Sequence, residues 1–331
     1  MQKEILVRHK ENPILLPNDY NWWESKAVFN CGVLYDGTTK IHMLYRAIGE
    51  YEKYISRIGY ASSTNGYCFD KRNKIALEPK EEYEKYGIED PRLVELDHQI
   101  YVSYVVLSNY ASQKPIASTA LATTTIDFSD YIRLGIITSK GSDNKDVVLF
   151  SNNVNQQYSS WNRNGPKSAT KKYLFLHRPS GWIGSKYGVD KPSIWIGEGS
   201  SLTNFEKHTL LIKPEQQWET LKVGAGPPPI KTKHGWLLIY HGVDENHVYR
   251  AGAALLDLKD PSKVLARTKK PILEPEEPYE KSGDVNNVVF PTGACIMDGK
   301  LFVYYGAADK VCCLATAELE NFLDYVLKTK S

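Results

Sequence analysis

Short apolar runs of period two recur along almost the whole chain, and they come in pairs joined by a polar turn. Five such pairs stand out: GVLYDGTTKIHMLYRA, RLVELDHQIYVSYVV, VVLF with YLFLHRP, PPPIKTKHGWLLIYHG and GACIMDGKLFVYYGAAD. The alternation, the aromatic and β-branched content and the turn residues predict a β-hairpin at each. The turns fall near Asp36, Asp97, residues 164–170, His234 and Asp298, a spacing of about 60 to 70 residues that indicates radial repetition. After each hairpin comes a third run with an Asn or Asp turn: IGYASSTNGYCF, ALATTTIDFSDY, IWIGEGSSLTNFEKH, GAALLDLKDPSKVLA and CCLATAELENFL. Each unit therefore holds four strands. Five four-stranded antiparallel units around an axis predict an all-β, five-bladed β-propeller with a central pocket, an arrangement that protects sheet edges by radial packing.

Few segments have a helical pattern, and both ends of the chain are read as strands or short helices that close the ring. A chain of 331 residues also allows a two-domain division at the longest irregular stretch, 151–172. The strand pattern resumes in phase at YLFLHRP, so residues 1–331 are read as one propeller domain with an insertion at 151–172 in the third blade.

Composition narrows the partners. The net charge is +2 with 24% charged residues, and the Lys-rich stretches near Lys53, Lys171 and Lys269 are short and accompanied by acids. Neither nucleic acid nor an anionic membrane is expected as a partner. The first residues lack the continuous apolar segment of a signal peptide, and no run has the length of a membrane span. Five cysteines, Cys31, Cys68, Cys295, Cys312 and Cys313, have no metal-ligand spacing and read as reduced core thiols. A soluble cytoplasmic protein is expected, with exposed arms that suit a homo-oligomer.

Polar residues recur at equivalent points of the units. Strand entrances carry Asn30, Asp90, Lys145, Lys222 and Asn286, and partner-strand exits carry Arg46, His177, Arg178, His241 and Asp309. Taken singly, each charge beside a turn is explained by solvation. A common phase in a repeat is explained by a ligand on the axis. In YGIEDPRLVEL, Asp90 stands where a carboxyl group would project into such a pocket, and Pro91 is expected to bias Asp90 toward extended backbone. Glu89 or Arg92 then pairs with a neighbouring blade. A purely structural turn with a salt bridge is the competing reading of EDPR.

The motifs NPILLP, WESKAVFN, LYRA, EDPR, KDVVLF, LHRP, KVGAGPPP, YRAGAALLD, VFPTG and YYGAAD together resemble glycoside hydrolase family 130, in order and over nearly the whole chain. The resemblance implies a five-bladed propeller acting on β-mannosides, most often by phosphorolysis, with Asp90 as general acid. It implies that Asn30, Arg46 and Asp309, with Arg92 beside the acid, bind the mannosyl substrate. It further implies a phosphate-binding set of Lys145, Arg178, Lys222 and Tyr249, with His241 as an additional candidate. Lys145 departs from the arginine of many family phosphorylases; it keeps the charge and loses the bidentate fork.

The chemistry is consistent with that residue set. An inverting hydrolase needs an acid and a second carboxylate to activate water, whereas a phosphorylase needs one acid and cations that orient an already ionised nucleophile. The expectation is inverting phosphorolysis of a terminal β-mannosyl unit, of β-1,2-mannobiose or its oligomers, to α-mannose 1-phosphate. Inorganic phosphate is the co-substrate, with no metal or organic cofactor, and the family implies a proton relay through a sugar hydroxyl. His9, His42, His98, His208, His234 and His247 show no ligand spacing and fit surface or turn roles. Two alternatives stand: a β-mannosidase with Glu198, Glu245 or Asp284 as base, and a non-catalytic sugar-binding propeller. The latter would use tryptophans among Trp22, Trp23, Trp161, Trp182, Trp195, Trp218 and Trp236, residues that more often build core.

Overall fold

The computed structural model describes residues 5–111, 114–139, 142–151 and 172–329. Five antiparallel sheets form a five-bladed β-propeller. An N-terminal strand, β1 (Val7–Arg8), precedes blade 1, which holds β2 (Ala27–Tyr35), β3 (Ile41–Ile48), β4 (Ser56–Ser63) and β5 (Asp70–Lys71). Blade 2 holds β6 (Ile88–Leu96), β7 (Gln99–Ala111), β8 (Lys114–Thr124) and β9 (Tyr131–Ile136). In blade 3 are β10 (Asn144–Leu149), β11 (Tyr173–Pro179), β12 (Ile194–Gly199) and β13 (Lys207–Ile212).

Blade 4 differs from the expected count. Its innermost strand is split into β14 (Lys222–Ala225) and β15 (Ile230–Thr232), which both pair β16 (Gly235–Val243), followed by β17 (Tyr249–Leu256) and β18 (Val264–Arg267). Three consecutive prolines, at 227–229, supply no N–H to a ladder, so the strand breaks there. Blade 5 contains β19 (Val289–Met297), β20 (Lys300–Ala307) and β21 (Val311–Glu318). Its fourth strand is β1, with Val7 opposite Thr316. The chain's own beginning thus closes the ring, as expected of the termini. Two α-helices, α1 (Pro278–Lys281) and α2 (Leu319–Leu327), are both short, and no helix among the described residues is long and apolar enough to cross a membrane. The stretch read as an insertion, 151–172, has residues 152–171 outside the described residues, as is Trp161.

The core is divided among the seams between blades. Ile239 and Leu255 of blade 4 pack with Val303 and Tyr305 of blade 5; Val33 and Met43 of blade 1 pack with Phe302 and Leu314 of blade 5. Similar apolar layers join blades 3 and 4, blades 1 and 2, and blades 2 and 3. Each sheet is buried on two faces, which is why its strands read as nearly continuous apolar runs. Trp23, Trp195, Trp218 and Trp236 belong to this core, and Trp22 is exposed. Four cysteines are buried and Cys68 is exposed, so the reading of all five as core thiols is corrected at Cys68. His42 is also buried rather than superficial, hydrogen-bonded to the Tyr60 hydroxyl and stacked on Phe128.

Within four blades a buried carboxylate ties the second strand to the outermost one. Glu24, Glu84, Glu219 and Glu280 are fully buried and precede the innermost strands of blades 1, 2, 4 and 5. They accept hydrogen bonds from the hydroxyls of Tyr45 (2.8 Å), Tyr104 (2.7 Å), Tyr240 (3.2 Å) and Tyr305 (2.8 Å) respectively. Each also pairs with a cation on the outermost strand: Lys71, Arg133, Arg267 and Arg8. Burying a carboxylate is tolerable only when it is paired and hydrogen-bonded, and each of the four is. Blade 3 has a neutral version, in which Asn144 meets His177 (3.0 Å) and His177 meets His208 (3.1 Å).

Candidate active site

Three innermost strands carry a β-bulge at the same point. The register breaks between Phe29 and Gly32 in β2, Glu89 and Arg92 in β6, and Lys145 and Val148 in β10. At each bulge one residue has left-handed backbone: Asn30 (φ 49°), Asp90 (φ 49°) and Asp146 (φ 59°). Asn and Asp tolerate that conformation better than other side-chain-bearing residues, and a bulge re-aims its side chain. Asp90 is therefore not extended, as the following proline predicts; the bulge overrides that bias. Such strain is concentrated at functional sites.

These side chains converge on an axial cavity of about 110 Å³ lined by Asn30, Arg46, Asp90, Lys145, Asp146, Arg178, Lys222, His241, Tyr249, Val285, Val288, Phe290 and Asp309. All the site residues that the family resemblance implies are there except Arg92. On one side stands the acid. Asp90 is buried, with Oδ1 accepting from Asn30 Nδ2 at 2.8 Å and facing Arg46 Nη1 at 3.5 Å, while Oδ2 lies 4.0 Å from Lys145 Nζ. Burial alone would raise its pKa, but Arg46 and then Lys145 outweigh that and hold the carboxyl below its usual range. Glu89 pairs with Arg46 Nη2 at 2.6 Å, so the expected link to a neighbouring blade exists. Burial, against the pull of Arg46 and with help from the Asp90 charge, pushes Asp309 up to about 6.

Across the cavity lies the basic side. Arg178 stands directly opposite Lys145 on the neighbouring strand. Its Nε donates to Asp146 Oδ2 at 2.7 Å, and His241 Nε2 is 3.7 Å from the same oxygen. Burial depresses His241 to about 3, leaving a neutral imidazole. Lys222 donates to the Tyr249 hydroxyl at 2.9 Å; burial, then Arg178 and Lys145, lower its pKa to about 8. Gly224 is required between them, because a Cβ there would lie 2.3 Å from both Asp146 Oδ2 and the His241 ring. Asn30 Oδ1, Asp146 Oδ1 and His241 Nδ1 are buried without a hydrogen-bond partner among the described residues.

Three expected positions are corrected, the first being His177, which lies within blade 3 between Asn144 and His208 rather than at the cavity. Arg92 does not line the cavity: its guanidinium is buried beneath it, donating to the Asp90 carbonyl at 2.8 Å and across the axis to the Gly226 carbonyl at 2.7 Å. It positions the Asp90 backbone rather than touching a ligand. Asn286 is exposed in the loop before β19, its side chain accepting from the Gly283 N–H. Sequence reasoning also missed Asp146, although FNCG, EDPR and KDVV align Asn30, Asp90 and Asp146 and leave Lys145 one position out of phase. The cavity holds three carboxyl groups, Asp90, Asp146 and Asp309, where two were expected. Glu198, Glu245 and Asp284 lie outside it, paired with Lys172, Lys191 and Lys310. Among the described residues no group of three or more His, Cys, Asp or Glu is arranged to hold a metal ion.

The family model described as beta-1,4-mannooligosaccharide phosphorylase, that of glycoside hydrolase family 130, matches residues 6–328. The chain belongs to glycoside hydrolase family 130. This family 130 enzyme is 40% identical over 322 residues to a 1,2-beta-oligomannan phosphorylase of Thermoanaerobacter sp. (strain X514), covering 96% of this chain and 98% of the relative. A beta-1,2-mannobiose phosphorylase of the same organism is 38% identical over 328 residues, covering 96% and 98%. Among solved structures, the beta-1,2-mannobiose phosphorylase from Listeria innocua in complex with beta-1,2-mannobiose superposes with a TM-score of 0.79 at 30% identity, covering 97% of this chain and 99% of that one.

Proposed function

We propose that this family 130 enzyme is an inverting β-mannoside phosphorylase acting on a terminal β-1,2-linked mannosyl unit, releasing α-mannose 1-phosphate. The observation that carries this reading is the division of one cavity into an acid side, Asp90 with Asn30, Arg46 and Asp309, and a basic side of Lys145, Arg178, Lys222 and Tyr249. The names of the relatives support the substrate class. Inorganic phosphate is ionised at neutral pH, so the protein has only to attract and orient it, and the cationic side chains of Arg178 and Lys222 in this cavity support that role. The neutral His241 and Tyr249 add hydrogen-bonding capacity without further charge.

The displacement is in line. A phosphate oxygen forms a bond to the anomeric carbon on the basic side while the glycosidic C–O bond breaks on the other face. The leaving oxygen takes a proton from Asp90, directly or through a sugar hydroxyl. Asp90 must then be protonated before the step, although Arg46 and Lys145 favour its ionised form in the empty cavity. A phosphate dianion beside Lys145 offsets that cationic field, so nucleophile binding and protonation of the acid assist each other.

The test is cleavage of β-1,2-mannobiose with and without phosphate, with the product anomer followed by NMR. The expected result is phosphate-dependent release of α-mannose 1-phosphate and free mannose in equal amounts. Asp90→Asn, which suits the left-handed backbone, should fold and lose about 10²–10⁴-fold in turnover. Two mannoses released at an undiminished rate in phosphate-free buffer would instead establish a hydrolase.

A further inference from the structure

Outside the cavity, the loops of blade 1 and blade 5 are joined by a cluster that the reaction as described does not use. Tyr51 and Tyr54 stack with ring centres 6.1 Å apart and planes 16° from parallel. Their hydroxyls donate to the two oxygens of Asp284, at 2.9 Å from Tyr51 and 3.3 Å from Tyr54. Lys310 Nζ donates to Asp284 Oδ1 at 3.1 Å and also meets the Tyr51 hydroxyl. One carboxylate thus holds two aromatic rings and an ammonium in a fixed arrangement.

The cluster borders the cavity. Asp284 precedes Val285 and Lys310 follows Asp309, and both of those neighbours line it. The Arg46 guanidinium lies 5.9 Å from the Tyr54 ring centre. Tyr54 itself has left-handed backbone (φ 53°), which a bulky residue adopts only when its surroundings impose it. Tyr51 is 48% exposed although its hydroxyl is fully engaged, so a ring surface is open to solvent at the rim.

Position relative to the basic side suggests a use. In-line displacement puts the leaving sugar on the face of the anomeric carbon opposite the phosphate. With Arg178, Lys222 and Tyr249 on blades 3 and 4, that face looks toward blades 1, 2 and 5, where the tyrosine pair stands. We infer that the Tyr51–Tyr54 pair, fixed by Asp284 and Lys310, is the platform on which the leaving sugar stacks, and that it sets acceptor affinity. The apolar face of a hexopyranose suits a fixed aromatic ring, and a platform ordered in advance costs little further ordering on binding.

This inference rests on the phosphorylase reading, and the synthetic direction separates the two. With α-mannose 1-phosphate as donor and mannose as acceptor, Tyr51→Ala should raise the acceptor KM about tenfold and leave the donor KM within about twofold. Tyr51→Phe keeps the ring and should stay nearer wild type, while Asp284→Ala, which frees both rings, should approach Tyr51→Ala. If wild type makes no phosphate-dependent cleavage, the phosphorylase reading fails and this inference with it. If wild type is active and Tyr51→Ala leaves the acceptor KM unchanged, or shifts the donor KM equally, the platform alone is refuted. Circular dichroism of each variant identifies any general loss of fold.

Discussion

Replacing Lys222 with Met tests whether the basic side is built for an anion at the expense of the empty protein. Burial and the neighbouring Arg178 and Lys145 lower the Lys222 pKa from 10.5 to about 8. At 1.36 kcal/mol per unit, holding this ammonium charged in the fold costs about 3 kcal/mol. Methionine keeps an apolar stem and removes the charge, losing the Tyr249 hydrogen bond, worth about 1 kcal/mol. In phosphate-free buffer at pH 7 the variant should therefore be more stable by about 1–2 kcal/mol, a rise in Tm of about 2–4 °C. The sign reverses the usual effect of deleting a polar contact. Between about pH 8 and 10.5 the folded state gives up its proton before the unfolded state does, so wild-type stability climbs with pH and the difference between the proteins closes. Differential scanning calorimetry across that range, with and without phosphate, measures all of this. Phosphate should raise the Tm of wild type by mass action and have much less effect on the variant, whose kcat/KM for phosphate should fall by about 100-fold or more. A variant that melts below wild type without phosphate at pH 7 would refute the reasoning.

Asp309, pushed up to about 6, should give substrate binding an acid limb. Below that pH its carboxyl is neutral and a weaker acceptor for a sugar hydroxyl, so kcat/KM for the mannoside should drop, and Asp309→Asn should be slower but flat there. Between the ordinary carboxylate range and pH 6 the folded state binds the extra proton, so this group makes the protein less stable as pH rises through the window. Gly224→Ala should displace Asp146 and His241, since the added carbon would stand 2.3 Å from each. A cost of about 1–3 kcal/mol, read as a lowered melting temperature, and a raised phosphate KM are expected, with mannoside KM at saturating phosphate nearly unchanged.

The propeller was legible because hairpin periodicity is local and repeats. The same periodicity placed Asn30, Arg46, Asp90, Arg178, Lys222, His241 and Asp309 at one end of the ring, and they do meet in one cavity. What escaped was the backbone at the bulges. The bulge residue is Asn30 in FNCG, Asp90 in EDPR and Asp146 in KDVV, but reading the third strand entrance one position early, at Lys145, overlooks Asp146, whose carboxylate organises Arg178. Arg92 was misplaced for a related reason: strand alternation cannot tell a side chain that enters the cavity from one that passes beneath it to Gly226. The buried glutamates left a readable trace in WES, YEK, WET and YEK before four of the five innermost strands. That trace is easily passed over, because an acid beside a turn ordinarily signals solvent.

Arg8 both belongs to the outer strand of the last blade and neutralises Glu280 within it. Arg8 lies far from Glu280 in sequence, and blade 5 lacks its cation until β1 has docked on it. Folding therefore has to bring Arg8 and Glu280 together across 272 positions in sequence before that acid can be stably enclosed. Since the cavity draws on residues from Asn30 to Asp309, it is complete only once blade 5 has docked against blade 1.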